Sequence, residues 1–164
     1  MEALVLRQML PADAGEVCTV QRAAFVAEAQ LYGDPHLPPL VETPAQIVAD
    51  LESCGGFVPV LHGRLVGCVR VRVGGRQLHI GRLAVAPDLQ GRGIGAALLA
   101  LAETAASADE ALLFTGHLSE GNLRLYGRAG YVEQRRVRVD DRVVLVHLRK
   151  PLPPGPSLPR VQIR

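Results

Sequence analysis

Three glycines occupy alternate positions where an apolar strand gives way to an apolar helix, in the segment LAVAPDLQGRGIGAALL over residues 83–99. A glycine-rich turn that opens a helix leaves backbone N–H groups unpaired, and the helix dipole directs its positive end to the same place. Because Gly91, Gly93 and Gly95 have no side chains, a phosphate group can approach this backbone closely. A single tight turn does not need three glycines, so the segment predicts a phosphate-binding site.

Two common phosphate-binding patterns fit this segment poorly. The Walker pattern GxxxxGK[ST] is absent, and the dinucleotide pattern GxGxxG/A matches only loosely, at Gly91, Gly93 and Ala96. A dinucleotide-binding turn should follow its strand directly and be followed by an acidic residue about 20 positions later. Here PDLQ separates strand and turn, and the region after the next strand reads TGH, without an acid. A nicotinamide cofactor is therefore a minor alternative.

The strand before the turn, QLHIGRLAV, changes its hydrophobic phase. Leu78 and Ile80 share one phase, whereas Leu83 and Val85 share the other. Because side chains of a regular strand alternate with a period of two, one extra residue must be absorbed near Gly81–Arg82. A β-bulge would absorb it and would leave backbone groups available to a ligand.

The remaining elements predict an α/β domain that positions this segment. The predicted strands are LVL, FVPVL, RLVGCVRVRV, QLHIGRLAV, ALLFT, YVEQRRVRV and RVVLVHL. The predicted helices cover residues 13–30, the stretch from Thr43–Pro44 to Gly55–Gly56, AALLALAETAA, and residues 119–129. Asp13 and Glu16 are expected to form a capping box at the first helix. The proline-containing loop YGDPHLPPLVET is long for a compact domain, which is typical of a binding loop.

Composition restricts the partners and the compartment. A chain of 164 residues with 48% hydrophobic content can build one domain with its own core. The net charge is only +2, and Arg alternates with Val in RVRV and QRRVRV, a pattern typical of solvent-facing strand surfaces. Both features argue against a nucleic-acid partner. Cys18, Cys54 and Cys68 lack metal-ligand spacing, so we expect buried thiols, no metal and no disulfide. Without a signal peptide or a membrane span, a cytoplasmic protein is expected.

Two segments together resemble the signatures of the GCN5-related N-acetyltransferase (GNAT) family. LAVAPDLQGRGIG, residues 83–95, is similar to the family's acetyl-CoA-binding motif, with its Q/R-x-x-G-x-G/A core. NLRLYGRAGY, residues 122–131, is similar to the second signature, an Asn followed by LYxxxGY or LYxxxGF. The spacing of the motifs and the predicted order of elements, β-α-α-β-β-β-α-β-α-β-β, also match the family.

The resemblance covers roughly residues 3–149 and implies the GNAT fold. This fold is a mixed, mostly antiparallel sheet of six to seven strands, flanked by about four helices, with a bulge on the fourth strand. We therefore expect one domain over residues 1–150 and a separate proline-rich tail over residues 151–164. The strand RVVLVHL and this tail are candidates for an interface, which favours a homodimer.

The resemblance implies transfer of an acetyl group from acetyl-CoA to an amine by direct attack in a ternary complex. Pantetheine would pair with the bulged strand, and the amides from Gly91 to Ala96 would hold the pyrophosphate. The cofactor-binding residues implied are Leu83, Ala84, Val85, Gln90, Gly91, Arg92, Gly93, Ile94, Gly95, Ala96, Asn122 and Tyr126.

Few side chains are needed for the chemistry. By resemblance, the backbone N–H of Leu83 would stabilise the oxyanion and Tyr126 would protonate the leaving thiolate. Many relatives carry a Glu base four residues before the position of Leu83, where this chain has His79. His79 is therefore the first candidate for the base and His117 the second. The plainer alternatives are a packed tyrosine and a strand histidine with a structural hydrogen bond.

The acceptor site is expected to include the loop from Leu31 to Glu42, because relatives place this segment over the substrate. Glu28, Asp34 and Glu42 would supply negative charge for a cationic amine, unless they are ordinary solvated carboxylates. The substrate-binding residues implied are Glu28, Asp34, His36 and His117. Small-molecule and peptide amines both remain open. The alternative function is an acyl-CoA-binding sensor or structural module of the same fold without turnover.

Overall fold

The structure is a computed structural model that describes residues 3–154, so most of the predicted proline-rich tail lies outside the described residues. Within this range the strands are β1 (Val5–Gln8), β2 (Gly55–Leu61), β3 (Arg64–Leu65), β4 (Gly67–Gly74), β5 (Gln77–Val85), β6 (Glu110–Gly116), β7 (Val132–Arg138) and β8 (Val144–Pro151). The α-helices are α1 (Ala14–Tyr32), α2 (Pro38–Val41), α3 (Pro44–Asp50), α4 (Ile94–Glu103) and α5 (Glu120–Arg128). Two short 3₁₀ turns, Pro11–Asp13 and Pro87–Leu89, precede α1 and α4.

The strands form one mixed sheet in the order β1-β2-β4-β5-β6-β8-β7, with β3 beside β2. The β5–β6 pair is parallel and the other pairs within residues 3–154 are antiparallel. The predicted fold class is thus confirmed. The described chain has eight strands because the predicted strand RLVGCVRVRV divides at Val66 into β3 and β4. It has five α-helices because Pro38 and Pro39 open a short helix inside the predicted loop.

Two apolar clusters cover the two faces of the sheet. Leu78, Leu98 and Leu99 are fully buried on the face covered by α4. Val17 and Ile47 are fully buried on the face covered by α1 and α3. Helices on both faces therefore fix β4 and β5 at the centre of the molecule, where the site lies.

The predicted bulge in β5 is confirmed. Cys68 lies opposite Ala84 and Arg70 opposite Gly81, so two steps along β4 correspond to three along β5. The extra residue is accommodated at Arg82, whose φ is 51°, a left-handed conformation that is uncommon for any residue but glycine.

Two details of the helices differ from the prediction. The Asp13 carboxylate does not cap α1; it accepts hydrogen bonds from the guanidinium of Arg7 (2.7 and 2.8 Å), because an opposite charge is the stronger partner. The α3 helix ends at Asp50, and Gly55–Gly56 lie in β2. A Cβ on Gly56 would be 2.8 Å from the Val69 carbonyl oxygen, so this glycine permits close strand approach and does not end a helix.

Arg70 and Cys54 correct the expectations about exposure. Arg72 and the arginines of β7 are exposed as predicted, but Arg70 is only 5% exposed. Cys18 and Cys68 are buried, whereas Cys54 is partly exposed and its Sγ accepts a hydrogen bond from Arg72 Nε (3.2 Å). None of the helices in residues 3–154 is long and apolar enough to span a membrane.

Candidate active site

The candidate site is the gap where β5 and β6 diverge. These strands pair over Gln77–His79 and Glu110–Leu112, and no further β5–β6 pairs form in the described part of the chain. The second half of β5 therefore has a strand on one side only. A splayed parallel pair at the centre of a sheet creates a slot whose walls are unpaired backbone groups.

The backbone of Leu83 and Val85 faces this gap. Ala86 donates its N–H to the Val66 carbonyl (2.8 Å), and the direction of backbone groups alternates along a strand. Leu83 and Val85 must therefore direct their N–H and C=O groups away from β4. Gln90 uses one of these groups, because its Nε2 donates to the Val85 carbonyl (3.1 Å) and holds the following turn against β5.

The glycine turn at the start of α4 is an open anion-binding surface. Gly91 and Gly93 have φ values of 75° and 82°, and a Cβ on either would meet no atom within 4 Å. Their left-handed backbone conformation favours glycine, and a side chain there would project into the open space in front of the turn. The first intrahelical bond runs from Ala97 N to Gly93 O (3.0 Å), so the N–H groups of residues 94–96 have no acceptor within the helix. Such N–H groups, with exposed Arg92 beside them, suit a pyrophosphate.

Gly95 has a different role from the other two glycines. It lies inside α4 without a positive φ, and a Cβ there would be 3.5 Å from Leu125 and 3.7 Å from Val85. These are ordinary contact distances, so helix packing, and not backbone conformation, makes this position sensitive to larger side chains.

Tyr126 lies on α5 and is buried, with 6% of its surface exposed. Burial, together with the negative charge of Glu28, raises the pKa of Tyr126 to about 12. The phenol is therefore protonated at neutral pH and can donate a proton. Its ring packs edge-on against Tyr131, with the centroids 6.1 Å apart. One helical turn earlier, Asn122 Nδ2 donates to Thr115 Oγ1 (3.2 Å), which fixes the amide beside β6.

Glu28 joins a hydrogen-bonded cluster between α1 and the loop before α5. Ser119 Oγ donates to Glu28 Oε2 (2.5 Å), and Tyr32 OH lies 2.7 Å from Ser119 Oγ. The backbone N–H of Leu118 donates to Tyr32 OH (3.0 Å). Tyr32 and Ser119 were not predicted as site residues from the sequence. The available signal was the four-residue spacing of Glu28 and Tyr32, which places both on one helix face.

His117 lies beside this cluster at the end of β6. Its ring centroid is 6.1 Å from that of Tyr32, and Nδ1 lies 3.1 Å from Val144 N and 3.2 Å from Val144 O. When Nδ1 accepts the Val144 N–H, the neutral ring carries its proton on Nε2; in the other tautomer, whose Nδ1–H donates to the Val144 carbonyl, Nε2 keeps the lone pair that a base needs. Gly116 admits Tyr32 to this position, because a Cβ there would be 2.0 Å from the Tyr32 hydroxyl oxygen.

The other predicted site residues lie apart from this cluster. His79 is exposed in the paired half of β5, opposite Arg72, with its ring beside Gly74 at the hairpin end. Asp34 Oδ1 accepts a hydrogen bond from the backbone N–H of the exposed His36 (2.8 Å), so that carboxylate stabilises its own loop. The Glu42 carboxylate, also expected at the acceptor site, points inward to Arg70. Glu28 is thus the acidic candidate whose charge acts on Tyr126.

Among residues 3–154 there is no group of three or more His, Cys, Asp or Glu side chains that could hold a metal ion. The site instead offers backbone donors, a buried phenol and a carboxylate. A central parallel pair that splays open, with a bulge on one strand and an anion-binding turn at its end, defines the acetyltransferase class of α/β folds. The family model of the acetyltransferase (GNAT) domain matches residues 45–152, and the chain belongs to this family.

One curated relative is the UPF0157 protein YqkA of Bacillus subtilis (strain 168), which is 29% identical over 133 residues. The aligned region covers 80% of this chain and 38% of YqkA, so the chain spans well under half the length of that relative.

Solved structures share the fold at low sequence identity. The ribosomal-protein-S18-alanine N-acetyltransferase of Escherichia coli is 16% identical with a TM-score of 0.76, over 94% of this chain and 97% of that one. A phosphinothricin acetyltransferase of Sinorhizobium meliloti, in complex with acetyl-CoA, is 14% identical with a TM-score of 0.75, over 99% of this chain and 98% of that one. The PaiA N-acetyltransferase of Thermoplasma acidophilum, in complex with coenzyme A, is 13% identical with a TM-score of 0.68, over 89% of this chain and 98% of that one.

Proposed function

We propose that this chain is an acetyl-CoA-dependent N-acetyltransferase that acts on a primary amine by direct attack in a ternary complex. The observation that carries the proposal is the unpaired backbone of β5 at the gap, followed directly by the open anion-binding turn; the buried, protonated Tyr126 is the proposed acid. Membership of the GNAT family supports it. The acetyl-CoA and coenzyme A bound in two of the structural relatives support the choice of cofactor.

The residues present fit acetyl-CoA. The free N–H groups of residues 94–96 and the open space at Gly91 and Gly93 would receive the pyrophosphate, and the backbone of Leu83 and Val85 would pair with pantetheine. Gln90 would have to release the Val85 carbonyl for a full set of strand-like hydrogen bonds. When bound, acetyl-CoA supplies an activated thioester.

Three groups of this chain would then promote the transfer. The Leu83 N–H donates to the carbonyl oxygen of the acetyl group as negative charge develops there. The amine nitrogen forms a bond to the acyl carbon while the carbon–sulfur bond breaks, and Tyr126 gives its proton to the leaving sulfur. The attacking amine loses a proton to a base.

His117 is favoured over His79 as that base by the geometry. His117 contacts Tyr32 within the Glu28 cluster. His79 precedes Leu83 by four residues, one of which is the extra residue of the bulge, so the two are separated by roughly 10 Å along the strand and His79 would need a relay water. If His117 is the base, His117→Ala should lower kcat about hundredfold while His79→Ala leaves it within a few-fold of the wild type. Steady-state kinetics would measure this, with acetyl-CoA binding as the control; the reverse pattern would assign the base to His79.

Glu28 is the proposed anchor for the positive charge of the acceptor. Glu28→Gln keeps the side-chain shape and the acceptor oxygen for Ser119 but removes the charge. Because a hydrogen bond to a charged group contributes about 1.5–3 kcal/mol, kcat/KM for the amine should fall about ten- to hundredfold, with KM for acetyl-CoA unchanged. The matched control is Asp34→Asn, whose carboxylate bonds its own loop. An equal effect of both variants would contradict the assignment.

The proposed function is tested by binding and turnover together. Calorimetry with acetyl-CoA, and with NADH for comparison, should show binding of acetyl-CoA alone. Mass spectrometry should then detect acetylation within a panel of amino acids, polyamines, aminoglycosides and peptides with free N-termini. Binding of acetyl-CoA without turnover would favour the sensor module, and no binding of any acyl-CoA would contradict the proposal. The domain boundary near residue 150, the homodimer and the cytoplasmic location stay predictions from the sequence.

A further inference from the structure

A buried ionic cluster lies directly behind the bulge of β5. Its centre is Arg70, which is 5% exposed. The Arg70 guanidinium donates to both Glu42 carboxylate oxygens, one of them at 2.8 Å, to Asp50 Oδ2 (2.9 Å) and to Gln21 Oε1 (3.1 Å). Burial acts to raise the pKa of Glu42, but the hydrogen bonds from Arg70 and Gln21 and the nearby positive charges outweigh it, and the pKa lies below its usual range. Glu42 is therefore ionised.

This cluster reaches the bulge through Arg82. Arg82 Nε lies 3.6 Å from Glu42 Oε2 and has no hydrogen-bond partner within residues 3–154, although it is buried. The Arg82 side chain is 31% exposed, and its buried Nε faces the negative charge of Glu42. Because the φ of Arg82 is 51°, its backbone is in a conformation that a non-glycine residue keeps only when its surroundings stabilise it.

The direction of the Leu83 N–H depends on this same conformation. The Arg82 carbonyl and the Leu83 N–H belong to one planar peptide group, in which they point in opposite directions. Cys68 Sγ donates to the Arg82 carbonyl (3.3 Å) on the β4 side, and burial raises the pKa of the Cys68 thiol to about 12, so the donor proton is kept. The Leu83 N–H consequently points into the gap.

We propose that Arg82 is a positioning residue: Glu42 holds its side chain, which fixes the left-handed bulge and aims the Leu83 N–H at the acetyl carbonyl oxygen. The inference rests on the proposed function. Glu42 itself is fixed at the C-terminal end of α2, where its backbone carbonyl accepts a hydrogen bond from Arg22 Nη2 (3.0 Å).

The test compares two substitutions at one position. Arg82→Ala removes the contact with Glu42 but keeps a Cβ that disfavours positive φ, whereas Arg82→Gly removes the contact and also the penalty. Arg82→Ala should lower kcat about tenfold with little change in KM for acetyl-CoA, and Arg82→Gly should recover kcat to within about threefold of the wild type. Arg72→Ala is the control for loss of an exposed arginine on the neighbouring strand.

A readout that does not require turnover separates this inference from the proposed function. The amide ¹H–¹⁵N resonance of Leu83 should move in Glu42→Gln, which removes the charge that faces Arg82 and leaves both sequence neighbours of Leu83 unchanged. An unmoved resonance, or equal losses of kcat in Arg82→Ala and Arg82→Gly, would overturn the inference, because the Arg82 side chain would then not set the bulge. Failure of the wild-type protein to acetylate any amine, with the resonance behaving as expected, would overturn only the proposed function.

Discussion

Replacing Gly93 with aspartate is expected to weaken acetyl-CoA binding by at least about a hundredfold while leaving the fold intact. Gly93 has a φ of 82° and immediately precedes α4, so its side chain would project into the space proposed for the pyrophosphate. Two unit charges about 5 Å apart repel by about 3 kcal/mol at an effective dielectric constant of about 20, which corresponds to more than a hundredfold in affinity. Aspartate is among the residues best tolerated in left-handed conformations, so the fold should persist with a loss of stability of about 1–2 kcal/mol.

Two variants separate charge from backbone strain in this experiment. Gly93→Asn has nearly the same shape without the charge and should bind acetyl-CoA much better than Gly93→Asp. Gly75→Asp places the same charge at a glycine with a φ of 60° and open surroundings, at the opposite end of β5, and should bind like the wild type. Calorimetry at low salt and thermal unfolding measure the two effects. If Gly93→Asp binds normally, the turn does not hold a phosphate.

Local patterns in the sequence were sufficient to predict the parts of the site that are made of backbone. The change of phase between Ile80 and Leu83 required an extra residue, and the structure has it at Arg82. The glycines that open α4 were recognisable because left-handed conformations at a helix start favour glycine. Both features depend on neighbouring residues, so a single sequence contains the information.

Parts of the site that depend on contacts between distant residues could not be predicted. Alternation of Arg and Val shows which side chains share a strand face, but not whether a helix covers that face. Arg70 is buried where its guanidinium donates a hydrogen bond to the carboxylate of Glu42, which lies 28 residues earlier in the sequence. Tyr32 and Ser119, which share a hydrogen bond, are 87 residues apart in sequence. Such contacts follow from the packing of α1 and the α2 segment on the sheet and have no local signature.

Removing one oxygen atom from Tyr126 is expected to have the second large effect. Tyr126→Phe keeps the ring that packs against Tyr131 and removes the proposed proton donor. General acid catalysis contributes about 10²–10⁴-fold, so kcat should fall at least about hundredfold while acetyl-CoA binding and thermal stability stay near wild-type values. Tyr131→Phe is the matched control, because it removes a buried hydroxyl that donates to Glu103 (2.9 Å), outside the gap. Unchanged kcat in Tyr126→Phe would show that Tyr126 only packs.

The pH dependence of kcat tests the same assignment from another direction. The pKa of Tyr126 is raised from its ordinary value to about 12. Burial of the phenol is the larger cause, and the negative charge of Glu28 is the smaller one. The phenol therefore keeps its proton as pH rises through 10, and wild-type kcat should show no loss from Tyr126 ionisation below about pH 11. A bound ammonium group would offset the charge of Glu28, lower the pKa of Tyr126 and make the phenol a better acid when the acceptor is present. In Glu28→Gln the negative charge is absent, so the pKa of Tyr126 in the free enzyme should be lower, and any alkaline limb of kcat/KM assigned to Tyr126 should lie at lower pH than in the wild type.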